Sequence, residues 1–184
     1  MNKTVWIILA LVAVLVIAGI SSYNSLVSTN ENVNGKWSQI DNQLQRRADL
    51  IPNLVATVKG YAAHETQAIQ AVADARAKLA GAQGPAAKAQ ADTEMTGALS
   101  RLLVVAENYP NLKADQNFRQ LSDELSGTEN RIAVARKDYN DAVQGFNTKI
   151  RSFPTNLFAG MMGFGPKEYF RAEEGAKQVP QVKF

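Results

Sequence analysis

The most regular pattern in the chain lies at its start. Between Thr4 and Asn30 no residue is charged, and residues 5–20 form an unbroken apolar run, VWIILALVAVLVIAGI. A bilayer core of ~30 Å takes ~20 helical residues, with a working range of ~17–25. The strict run is slightly short of that, and Thr4 with residues 21–23 extends it. Trp6 and Tyr23 sit near the two ends, roughly 25 Å apart on a helix rising ~1.5 Å per residue. That is the spacing of aromatic anchors at two membrane interfaces. The rival is a cleaved leader, with Val16-Ile17-Ala18 as a passable cleavage site and Lys3 as a minimal n-region. The length of the run and the unbroken helical pattern after it favour a retained anchor. The expected division is therefore a transmembrane anchor over residues 1–23, in contact with lipid through residues 5–20, and a helical-bundle domain over residues 24–184.

Past the anchor the period changes. Leu26, Val33, Trp37, Ile40, Leu44, Ile51, Leu54, Val58 and Tyr61 recur at spacings built from threes and fours, the stripe of an amphipathic helix. Pro52 interrupts it, and either opens a second helix with Asp49 as its cap or kinks one long helix. The pattern continues from residue 62 through Ile69, Val72 and Leu79. Gly81-Ala82-Gln83-Gly84-Pro85 is the clearest turn. A third helix is predicted over residues 86–108, on Met95, Leu99, Leu102, Leu103 and Val105, and Tyr109-Pro110-Asn111 ends it. A fourth, long helix is predicted over residues 114–152, on Phe118, Leu121, Leu125, Ile132, Ala135, Tyr139, Val143, Phe146, Ile150 and Phe153. Residues 154–166, PTNLFAGMMGFGP, keep no period. Residues 153–184 therefore read as a loop-rich tail with at most a short helix around residues 167–174. No stretch alternates as a strand does. The fold class is all-α: a transmembrane helix followed by an antiparallel bundle of three to four long helices and an irregular C-terminal tail.

Composition narrows the chemistry more than it suggests any. Twenty Lys plus Arg against seventeen Asp plus Glu leave a net charge of +3, spread without the one-sided basic face that nucleic acid requires. With no cysteine, disulfides, thiol nucleophiles, thiolate metal sites and S-acyl anchors are excluded. The carboxylates show no dyad or cage spacing. Gly160-x-x-Gly163-x-Gly165 follows no strand, and no serine occupies a nucleophile elbow. No cofactor and no metal is expected. Lys3 is the one basic side chain before the apolar run, and the next is Lys36. This asymmetry places the N-terminus in the cytoplasm and the domain outside it.

The strings Trp37-Ser38-Gln39-Ile40-Asp41, Leu44-Gln45-Arg46-Arg47-Ala48-Asp49-Leu50-Ile51-Pro52-Asn53-Leu54 and Val58-Lys59-Gly60-Tyr61 resemble the LemA family. So do Glu107-Asn108-Tyr109-Pro110, Glu129-Asn130-Arg131-Ile132 and Phe153-Pro154-Thr155-Asn156. The resemblance spans essentially the whole chain. It implies a bacterial membrane protein with one N-terminal transmembrane helix, an all-helical domain and no established enzymatic activity. It also implies genes beside membrane-protease or other envelope genes, and a relative that takes part in magnetosome membrane formation. For orientation it implies a short N-terminus outside the cell, opposite to the charge asymmetry.

Candidate sites come from residues that break the pattern. Arg47 falls near the centre of the first stripe, with Arg46 and Asp49 beside it. A guanidinium there needs carboxylates or carbonyls, and Glu129 and Asn130 on the long helix are the expected partners. Such a cluster is either an interhelical polar network that fixes register or a site for an anionic ligand or a partner's carboxylate. His64, the one histidine, cannot face its neighbour Glu65 across a helix; it reads as a surface or satisfied residue rather than a base or pH sensor. Phe158, Met161, Met162 and Phe164 in the tail form either a cap on the bundle or a docking surface for the bilayer or a partner. The alternating terminus Val179-Pro180-Gln181-Val182-Lys183-Phe184 could add as an edge strand to a groove. The expected function is a non-enzymatic binding or scaffolding module of the cell envelope, with another membrane protein as partner. A self-assembling homo-oligomer is the alternative, and a cryptic hydrolase on His64, Glu65 or Asp49 ranks last.

Overall fold

The computed structural model describes residues 3–171. Among them there is no strand, and the helices run α1 Lys3–Tyr61, α2 Thr66–Gly81, α3 Gly84–Ala106, α4 Pro110–Ala114, α5 Gln116–Arg151 and α6 Asn156–Ala159. The all-α reading holds. α1 is long and apolar enough at its start to cross a membrane, and no part of its most apolar 18-residue window is buried. Farther along, the helix turns one-sided. Leu26, Val33, Ile40, Leu44, Ile51, Leu54 and Val58 are each at most 2% exposed, so the predicted stripe is the buried face. Tyr61, predicted on that face, is 45% exposed.

Of the two readings of Pro52, the structure takes the continuous helix: α1 runs through it unbroken. A proline cannot donate the N–H that residue 48 would normally accept. The freed carbonyl of Ala48 instead accepts from Arg76 Nε at 2.9 Å. A side chain of α2 thus completes the backbone of α1 where the sequence breaks it.

The described residues fall into two compact units. One holds residues 39–136 with residues 169–171. In it α1 and α3 run parallel, since Asp41 pairs with Lys88 and Arg47 with Asp92. α5 runs antiparallel to α1, since Arg47 pairs with Glu129 and Tyr61 with Asp115. α2 and α3 are antiparallel across a two-residue connection, tied by Lys78–Glu94 at 2.7 Å. The result is an up-down-up-down bundle around Ile40, Leu44, Val72, Met95, Leu102 and Ile132.

The boundaries shift where local chemistry overrides periodicity. Helix is lost over residues 62–65, rather than continuing from residue 62. The predicted turn is present, with Gly84 at φ +79, a conformation that suits glycine, and Pro85 in the first turn of α3. Pro110 opens α4 rather than only ending α3. α5 starts two residues later than predicted because Asp115 Oδ1 accepts the Phe118 N–H at 2.9 Å and caps it. On α3, Leu103 is 38% exposed and does not share the core with Met95, Leu99 and Leu102.

The other unit holds residues 3–38 and 137–168. α1 and α5 are antiparallel here: Lys36 pairs with Asp138 at 3.0 Å, and Lys149 Nζ donates to Thr29 Oγ1 at 3.0 Å. Phe146 and Val143 are fully buried, and Trp37 lies 5.5 Å from the Tyr139 ring. Phe153, predicted as the last residue of the stripe, is 80% exposed, beyond the end of α5.

The tail differs from its reading in two respects. The short helix is α6, inside the segment predicted as loop. Residues 167–171, predicted as the start of a helix, are not helical. The Asn147 amide takes both backbone groups of Lys167, donating to its carbonyl and accepting its N–H, each at 2.8 Å. Tyr139 donates to the Glu168 carbonyl at 2.9 Å. Those bonds to α5 replace the ones a helix would make. The terminal segment 179–184 lies outside the described residues.

Candidate functional site

Arg47 is 3% exposed on the buried stripe of α1. Its Nη1 lies 2.7 Å from Asp92 Oδ1 on α3 and 2.6 Å from Glu129 Oε2 on α5, and its Nη2 donates to Thr96 Oγ1 at 3.0 Å. The Glu129 contact is an ion pair without hydrogen-bond alignment: Oε2 has no hydrogen-bond partner, and neither has Arg47 Nε. One guanidinium therefore joins three helices. Beside it opens a cleft of about 280 Å³, lined by Leu99, Leu103, Ser122, Ser126 and Asn130 together with Arg47.

Arg47 faces two carboxylates. Burial pushes the Asp92 carboxyl above the ordinary carboxylate range, while Arg47 pulls it down and Glu129 adds to the rise. Burial leads because only 8% of the Asp92 side chain is exposed, against 44% for Glu129, and Arg136 adds a second, weaker downward pull. The arrangement suits an interhelical lock better than anion capture.

The other predicted members disperse. Arg46 is exposed, and Asp49 is exposed and accepts from Gln45 at 3.1 Å within α1. Asn130 is exposed and lines the cleft without a bond to Arg47. His64 is exposed, and Glu65 accepts the Tyr109 hydroxyl at 2.9 Å, a bracket between the α1–α2 connection and the end of α3. No group of three acidic or histidine side chains among the described residues is placed to hold a metal.

The tail candidates split by face. Phe164 meets Tyr23 and Phe146 edge-on, with centroids 6.1 and 6.3 Å away. Phe158 and Met162 line an apolar groove of about 540 Å³ with residues of the first part of α1. Met161 is 87% exposed.

Comparison with known families matches residues 36–184 to the LemA family. The chain belongs to the LemA family. Magnetosome protein MamQ 2 of Paramagnetospirillum magneticum is 30% identical over 87% of this chain and 68% of its own length. Magnetosome protein MamQ of Magnetospirillum gryphiswaldense is 27% identical over the same shares. Protein LemA of Metamycoplasma hominis is 25% identical over 82% of this chain and 69% of its own. Family and apolar helix together make this a membrane-associated protein of the LemA type. The family match begins at Lys36, so the apolar part of α1 lies outside it.

Asp92 is the member of this cluster that sequence reasoning missed. Its signal was present: Ala89, Asp92, Met95 and Leu99 share one helical face, so a charge interrupts a stripe as Arg47 does. The alanine content of α3 made that stripe faint.

Proposed function

We propose that this LemA-family protein is a non-enzymatic membrane-tethered adaptor of the cell envelope. Residues 1–23 form its membrane span, and the bundle carries the binding surface for another membrane protein. The observation that supports this reading most is α1, whose apolar, unburied first part continues without a break into the bundle. A retained helix of this kind leaves the bundle at the bilayer surface, where its partners are those that share the membrane. The cleft beside Arg47 is the recognition surface we favour, being part apolar and ringed by serines, with Leu103 and Val104 exposed nearby.

Site-specific photo-crosslinking at Asn130, in native membranes at native expression, tests the proposal. The expected result is a discrete adduct with another membrane protein that Leu103→Glu abolishes while helicity is retained. Adducts with copies of the same chain alone would replace the adaptor with a self-assembling scaffold, and adducts with no protein at all would overturn both.

A further inference from the structure

We propose that residues 152–166 are a second membrane-embedded element, a helix-turn that enters the bilayer against the apolar part of α1 without crossing it. The proposal rests on the membrane-anchored reading above, and its occupant is lipid. Four observations carry it.

The first is depth. Phe158 and Met162 line one groove with Val12, Leu15, Val16, Ile20 and Tyr23. From Tyr23 to Val12 a helix covers roughly 16 Å at ~1.5 Å per residue, about half of a hydrocarbon core of ~30 Å. If Tyr23 marks the interface, a segment packed on that stretch is immersed with it. Gly19 shows the packing: it is buried, and a Cβ there would lie 3.9 Å from the Phe158 ring.

The second is the outward face. Leu157 and Met161, spaced one helical turn apart, are 56% and 87% exposed, and Phe153 is 80% exposed. In water so short a segment would present three large apolar side chains to solvent; among acyl chains this is the ordinary state.

The third is charge. Residues 152–166 contain no Asp, Glu, Lys, Arg or His, and Lys149, Arg151 and Lys167 bracket them. Lys149 Nζ reaches the carbonyl of Ser25 and the hydroxyl of Thr29, just beyond Tyr23 on α1. Basic groups therefore flank the uncharged segment at both of its ends, as headgroup phosphates require.

The fourth is the backbone. Lipid offers no hydrogen bonds, so a segment in hydrocarbon must satisfy its own. The N–H groups of Asn156, Leu157, Phe158 and Ala159 donate to the carbonyls of Ser152, Pro154, Thr155 and Thr155. Met162 donates back to Phe158. The turn closes as a Schellman motif, with Gly163 at φ +78 donating to Gly160 and Phe164 donating to Ala159. The N–H groups of Met162, Gly163 and Phe164 are thus returned inward.

The absence of native cysteine permits a clean test. Single variants Met161→Cys, Leu157→Cys, Val14→Cys and Gln120→Cys of the full chain, each labelled with an environment-sensitive fluorophore, are reconstituted into phosphatidylcholine–phosphatidylglycerol vesicles at high lipid-to-protein ratio. The expected result is blue-shifted emission from positions 14, 157 and 161, quenched by spin-labelled acyl chains and resistant to iodide, with position 120 showing the reverse. Iodide quenching at 157 and 161 with position 14 still in lipid would overturn this inference and leave the anchor standing. Iodide quenching at position 14 as well would overturn the anchored reading itself. Shielding at 161 that disappears on dilution with lipid would mean that a second copy, not the bilayer, covers the tail, and would overturn the inference too.

Discussion

Arg47 shows how one residue can be read correctly for its need and incompletely for its partners. A charge on a stripe of leucines and isoleucines demanded compensation, and Glu129 at 2.6 Å supplies part of it. The remainder, Asp92, was hidden in an alanine-rich helix. Arg47→Ala would strand Asp92 in the core, and breaking such a pair costs about 3–5 kcal/mol. Denaturant unfolding of the full chain in mild detergent should show that loss, and the double variant Arg47→Met with Asp92→Leu should recover most of it. Asp92 also sets a pH dependence. Its folded carboxyl binds a proton more tightly than in the unfolded chain, because burial raises its pKa. Its contribution is therefore greatest below the ordinary carboxylate value of about 3.9 and declines as pH rises through the raised value. Asp92→Asn should flatten that decline in unfolding free energies measured across the acid range.

At the scale of elements, Pro52 is the instructive case. Sequence alone left two outcomes open, because a proline can start a helix or be carried inside one. The carbonyl it frees on Ala48 is taken by Arg76, a residue that no local pattern connects to it. Replacing Arg76 by Met should cost about 1.5–3 kcal/mol, the worth of a hydrogen bond involving a charged group. In a Pro52→Ala background, where residue 52 regains its own N–H, the same replacement should cost much less. Melting temperatures of the four chains form the cycle that checks this. The later start of α5 and the non-helical backbone at Lys167 have the same origin. Asp115 and Asn147 spend side-chain groups on backbone atoms, and such bonds leave no periodic trace.

At the scale of the whole molecule, the apolar first part of α1 assigns a membrane address. No residue of its most apolar window is buried, and a helix apolar on all sides and unburied is at rest only in lipid. Arginines at Leu9 and Val14 each cost about 2.5–3.5 kcal/mol at the centre of a span. The double variant should move from the alkali-resistant membrane pellet toward the extractable fraction, while the native chain stays in the pellet.

The sequence by itself determined the long helices and most of their buried faces. Hydrophobic spacing of threes and fours states which side of each helix must be hidden, and an uncharged run long enough to cross a bilayer states where water is absent. Both are properties of a one-dimensional pattern. The tertiary structure alone decided which groups answer one another across distance: Asp92 and Glu129 on one guanidinium, Arg76 on the carbonyl of Ala48, the Asn147 amide on Lys167. It alone also placed Phe158 and Met162 along the apolar part of α1. The physical reason is that a hydrogen bond or an ion pair is specified by positions in space, and residues as far apart in the chain as Gly19 and Phe158 share no period that could announce it.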